Sequence, residues 1–188
     1  MENILKDVEN REDFRNWLEI NCLKEKQCYV LIQMKKVKKG VLLYIDAVYE
    51  ALCFGWIDSV TRKDSNGRLL QRFSPRRKKS NWTELNKERA RFLKKSGQMT
   101  KYGEAVLPDL NEKFIIDPEI LNIFEKDEEF LQKIKEFPDL YFRIRVDNIQ
   151  KVKKNEELFL KRINKFIDMT KKGKMFGRWN DFGRLIQY

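Results

Sequence analysis

The chain has 188 residues, a formal net charge of +11 at pH 7, 41% hydrophobic residues and 12% aromatic ones. That is enough apolar content for one folded domain, or one with a helical appendage, and too much for a disordered chain. It contains no histidine, which excludes imidazole metal sites and Ser-His-Asp and Cys-His catalysis. Its three cysteines (Cys22, Cys28, Cys53) are odd in number without a C-x-x-C spacing, so neither a thiol zinc cage nor a disulfide framework is indicated and no metal or other cofactor is expected.

Residues 1–10 are charged and lack an apolar core of the secretory kind. Phe14, Trp17 and Leu18 then recur at helical spacing over residues 11–22. Residues 28–34 read as a buried strand that leaves the core at Lys35, Lys36, Lys38 and Lys39. Residues 44–54 repeat Ile45, Val48, Tyr49 and Leu52 at threes and fours and stop at Gly55. Trp56–Arg62 and Arg68–Phe73 are strand-like runs joined through Asn66-Gly67, which predicts a hairpin with a two-residue turn, closed off by Pro75. A helix follows from Ser80 or Asn81 to Gly97, with Trp82, Leu85, Phe92 and Leu93 on one stripe, and a short one begins at Thr100. Asp117-Pro118 opens another. Residues 127–137 and 139–152 form two more, broken at Pro138, and 156–170 form the last, ending at Gly173. The tail from Met175 holds Phe176, Trp179 and Phe182 and is expected to dock on the body.

These elements predict an α+β chain: a small antiparallel sheet of about three strands with a β-hairpin, six or seven helices, and an all-helical C-terminal half. Residues 1–107 would form the α+β core and 108–188 a helical unit packed on it, one compact domain overall. No stretch approaches 18 apolar residues, so no spanning helix is expected and a cytoplasmic location is.

The charge is unevenly spread. Residues 61–95 carry 13 basic and 3 acidic side chains and residues 151–178 carry 10 and 3, whereas residues 96–150 carry 7 and 12. Two basic segments separated by an acidic one suit a phosphate-rich partner if they meet in space.

The blocks Glu50-Ala-Leu-Cys-Phe-Gly-Trp-Ile-Asp58, Gln71-Arg-Phe-Ser-Pro-Arg-Arg77, Ser80-Asn-Trp82 with Asn86, and Gly97-Gln-Met-Thr100 with Gly103 resemble, in order and spacing, the YdeI/OmpD-associated family, also labelled bacteriocin-protection proteins. The specific motifs cover residues 44–103. The resemblance implies a small bacterial protein linked to bacteriocin tolerance. It brings no reaction, cofactor or catalytic set.

Asp58, Arg72, Arg76, Arg77, Trp82 and Asn86 form the expected site, an anion cleft between the hairpin and the helix from Trp82. Arginine offers a planar donor fork for phosphate or carboxylate, and the start of the helix offers free N–H groups. A plain two-residue turn sets Asp58 opposite Pro75 with Arg72 on the other face, while a bulge or longer loop reverses this, so an Asp58–Arg72 pair stays open. Cys53 reads as a small core residue. The function expected is non-catalytic binding of a small anionic or phosphate-bearing partner in a protective role, with Arg76 essential for binding. The alternatives are a nucleic-acid binder using residues 61–95 and 151–178, and an enzyme on an anionic substrate with Asp58 or Glu50 as base and an arginine electrophile.

Overall fold

The computed structural model describes residues 3–35, 39–78, 80–186 and 188; Lys36, Lys38 and Lys79, named above, lie outside the described residues. Helix α1 (Arg11–Asn21) begins at a reciprocal cap. Asn10 Oδ1 accepts from the N–H groups of Glu12 and Asp13 at 2.9 and 3.1 Å, and Asp13 Oδ2 accepts from the Asn10 N–H at 3.1 Å. The helix buries Phe14 and Leu18 completely.

Strand β2 (Cys28–Gln33) alternates buried and half-buried residues, the pattern of a strand with one face on a core. It pairs in parallel with the two-residue strands β1 (Ile4–Leu5) and β3 (Leu42–Leu43), and antiparallel with β5 (Leu69–Pro75). Strand β4 (Trp56–Lys63) pairs with β5, so the order is β1-β2-β5-β4 with β3 also on β2. The chain is α+β as expected, but the sheet is mixed and five-stranded rather than antiparallel with about three. Two residues cannot display a period of two, so β1 and β3 leave no pattern to read. Eight helices form among the described residues, one more than the upper expectation.

The chain divides into two units, Met1–Asn81 with Arg89–Pro108, and Trp82–Glu88 with Asp109–Tyr188. In the first, Cys28, Val30, Phe73 and Trp56 of the sheet are buried, with Phe14 of α1 packed on Phe73 at 5.2 Å between ring centres. Trp56 also donates its indole N–H to Cys22 O at 3.1 Å, the polar contact a buried tryptophan needs. Helix α2 (Tyr44–Cys53) is buried at Ile45 and from Ala47 to Cys53. Its last carbonyl, Cys53 O, accepts from Thr100 Oγ1 at 2.6 Å, and Thr100 Oγ1 accepts from Gly103 N at 3.4 Å to cap α4 (Lys101–Glu104). Thr100 and Gly103 thus tie α4 to the end of α2.

Helix α3 (Glu84–Lys95) carries residues of both units. The second unit adds α5 (Pro118–Glu125), α6 (Glu128–Ile134), α7 (Asp139–Gln150) and α8 (Glu156–Lys171). Helix α7 buries Tyr141, Ile144, Val146, Asp147 and Ile149, more than one face, which marks a central helix. Around it Phe124 stacks on Phe130 at 4.6 Å, Phe166 meets Phe130 edge-on at 5.5 Å, and Trp179 of the tail meets Tyr141 at 5.5 Å. Fully burying each such ring contributes roughly 1.5–3 kcal/mol. No helix among the described residues is long and apolar enough to cross a membrane.

Candidate functional site

Asp58, Arg72, Arg76 and Arg77 lie in the first unit; Trp82 and Asn86 belong to the second. Register decides which of the first four can meet. The Asp64 N–H donates to Arg68 O at 2.9 Å and the Gly67 N–H to Asp64 O at 3.0 Å, so the hairpin loop is Ser65-Asn66-Gly67 with Gly67 at φ +73°. A three-residue loop with glycine in the left-handed region replaces the expected two-residue turn. A bulge between Asp58 and Thr61 then slips the ladder again, and Asp58 faces Phe73 instead of Pro75. The two slips cancel in parity. Asp58 shares the Phe73 face and Arg72 points to the other, so the pair left open by the sequence does not form.

Arg72 instead donates from Nε to Gln27 Oε1 at 2.7 Å, and Arg77 is exposed beyond the strand. Asp58 accepts from the Tyr44 hydroxyl at 2.7 Å. Arg76 is only 5% exposed, with its N–H on Gly55 O at 2.8 Å and Nη1 on Ser80 Oγ at 3.3 Å. Burial pushes its guanidinium down to about 10, against the opposing pull of Asp58, and it stays charged at pH 7. Arg76 is therefore an internal cation beside a carboxylate, while Arg72 and Arg77 point elsewhere.

The start of α3 is likewise taken. The Glu84 N–H donates to Asp147 Oδ2 at 3.2 Å, the Asn86 N–H donates to Thr83 Oγ1 at 3.0 Å, and Lys151 Nζ reaches both Asp147 Oδ2 at 2.8 Å and Trp82 O at 3.4 Å. A carboxylate of the protein itself occupies the helix end where an external anion was expected. Thr83, not Ser80 or Asn81, supplies the capping hydroxyl.

Glu50, a candidate base, is 1% exposed and clamped by α1: Arg11 Nε holds Oε1 and Arg15 Nη1 holds Oε2 at 2.7 Å. With both oxygens on guanidinium groups it is a structural ion pair. Cys53 is fully buried, and burial first, then Glu50, pushes its thiol up to about 12, the state of an inert core cysteine. Among the described residues no group of three or more Cys, Asp or Glu side chains could hold a metal ion.

Cations do converge in the second unit. On α8, Leu158, Lys161, Arg162, Lys165 and Phe166 recur at threes and fours and so share one face. Together with Arg145, Asn148 and Ile149 of α7 and Phe176 of the tail, they line a cavity of about 450 Å³. Four basic side chains and no acidic one line it, and none of the four has an ion-pair partner among the described residues.

Three of the four cations are held in place but not neutralised. Arg162 Nη1 donates to Asn148 O at 2.6 Å. Arg145 and Lys165 lie 5.1 and 4.9 Å from the Phe176 ring centre. Two charges within about 10 Å of each other repel by roughly 1–2 kcal/mol at an effective dielectric near 20, before solvent screening. A cation–π contact at an exposed site returns about 0.5–1 kcal/mol, so the ring orders the charges without cancelling their repulsion. Burial pushes the Arg145 guanidinium down, Tyr141 works the other way, and the positive charge of Arg162 adds to the downward push. Arg145 Nε is buried with no hydrogen-bond partner among the described residues. Gly177, at φ +77°, lets the tail backbone lie against this side chain; a Cβ there would fall 2.7 Å from Arg145 Nη1. Phe159, Ile163 and Phe166 of α8 are buried core, and no residue of the adjoining cationic stripe is singled out from the sequence, where its helical spacing was the available signal.

The chain belongs to a family defined by a domain of unknown function, DUF8412, matched over residues 6–106. No curated protein and no solved structure matches it. The matched span holds β2–β5 with their hairpin and α1–α4, and ends before the basic cavity.

Proposed function

We propose that this DUF8412 member is a non-catalytic binding protein for phosphate- or carboxylate-bearing ligands, taken up in the cavity of α7 and α8. The observation that carries the reading is a concave site lined by Arg145, Lys161, Arg162 and Lys165 with no acid among its lining residues. Clustered cations of this kind lower their mutual repulsion by admitting an anion, and they raise its local concentration. The cavity lies outside the family-matched residues, so the site is argued for this chain alone. A cytoplasmic location and a protective role, implied by the resemblance to the YdeI/OmpD-associated family over residues 44–103, complete the proposal; the three free cysteines suit a reducing compartment.

Calorimetric titration with inorganic pyrophosphate at low salt tests it. Arg145→Ala is expected to weaken binding at least tenfold, while Arg72→Ala and Arg77→Ala leave it unchanged. Loss with either hairpin variant and not with Arg145→Ala would return the site to the hairpin exit. Exposed Lys161 and Lys165, one turn apart on α8, favour nucleic acid as a second reading. It requires affinity for mixed oligonucleotides that falls steeply with salt as counterions are released.

A further inference from the structure

We infer that the ligand of the α7–α8 cavity is an organic phosphate with a hydrogen-bonding, ring-sized body, the chemistry of a nucleoside diphosphate. This rests on the anion-binding reading above and adds the class of molecule.

Size comes first. At ~30 Å³ per water molecule, a cavity of about 450 Å³ has room for about fifteen, far more than an inorganic phosphate displaces, and it falls within the roughly 300–1,000 Å³ of small-molecule sites. The lining is also divided in chemistry. Four cations call for more than one negative charge, which a diphosphate supplies. The lining also includes half-buried Leu158 with the buried Ile149 and Phe166, and a ligand with a hydrocarbon body packs against Leu158 as a free phosphate does not. Phe176 is not a stacking platform, because Arg145 and Lys165 already lie over its ring; its part is to place those charges.

Asn148 adds the third element. Its backbone carbonyl is used by Arg162; it lines the cavity with Arg145 and Ile149, three positions and one position away on α7, and its side-chain amide carries an acceptor and two donors. The cations offer donors only, so Asn148 alone among the polar lining residues can also accept, as the edge of a heterocycle requires. Charge for the phosphates, hydrocarbon for the ring and an amide for its edge then lie in one site.

The experiment titrates the full chain with ADP, inorganic pyrophosphate and adenosine at one ionic strength, for the parent, Arg145→Ala and Asn148→Ala. ADP is expected to bind at least tenfold more tightly than pyrophosphate, with adenosine binding undetectable. Arg145→Ala should weaken both phosphates at least tenfold, and Asn148→Ala should weaken ADP severalfold without touching pyrophosphate; Lys165→Ala replaces Arg145→Ala if circular dichroism shows the latter unfolded. Equal affinity for ADP and pyrophosphate in the parent overturns the ligand class and leaves the anion site standing. Absence of binding by either phosphate overturns both.

Discussion

Arg76 sits beneath the surface of the first unit beside Asp58 and has its burial, not a ligand, as the main influence on its charge. Arg76→Ala removes a buried side chain with its Ser80 contact and its attraction to half-buried Asp58, and should lower stability by about 1–3 kcal/mol. Urea denaturation reads this directly, and pyrophosphate affinity should not change. A variant of full stability that no longer binds would instead make Arg76 a ligand contact. Density of charge in the sequence misleads here because each cation meets a different fate. Arg68 pairs with Asp64 at 2.7 Å, Arg72 holds Gln27, Arg76 is buried, and Lys87 bonds Glu84 and Glu112 at 3.3 and 3.4 Å. The same residue type a few positions apart serves turn, sheet, core and helix.

At the scale of elements, most starts and stops follow from local chemistry. Asn10, Thr100, Asp117, Asp127 and Asn155 each accept from a first-turn N–H of the helix behind them, and of these Thr100 and Asp117 are read from the sequence as helix starts. Asp127 does more than cap α6. Its Oδ1 accepts from Phe130 N at 3.0 Å, while Oδ2 holds Lys171 Nζ from the last turn of α8 at 2.8 Å. The Lys171 contact chiefly, with help from the Phe130 N–H, holds the Asp127 carboxyl below its ordinary value. A carboxyl lowered in the folded state contributes stability that is fully present above its unfolded value, near 4, and is lost as pH falls through the folded one. Denaturation midpoints measured from pH 5 to pH 2 should therefore decline, and Asp127→Asn should flatten part of that decline. An identical acid profile for the variant would show that the α6–α8 link carries no pH-dependent stability.

Across the whole molecule, burial governs chemistry as much as packing. Cys22, Cys28 and Cys53 are free and buried, and burial raises all three thiols. The native chain should resist a thiol reagent at pH 8, with three groups reacting once it is denatured; rapid labelling of Cys53 in the native state would reopen it as a functional residue. The α+β class, the order of its helices and the absence of imidazole or thiol-cage chemistry were determined by the sequence itself, because periodicity, caps and composition act over a few residues or over none. Which charges converge was decided only by the tertiary structure. Two slips in the β4–β5 ladder cancelled and parted Asp58 from Arg72, an internal Asp147 took the start of α3, and the packing of α7 on α8 brought Arg145 to the Lys161–Arg162–Lys165 face that helical spacing alone groups. Such outcomes depend on register and on which faces pack together, and these are set by contacts between residues far apart in sequence that no local pattern encodes.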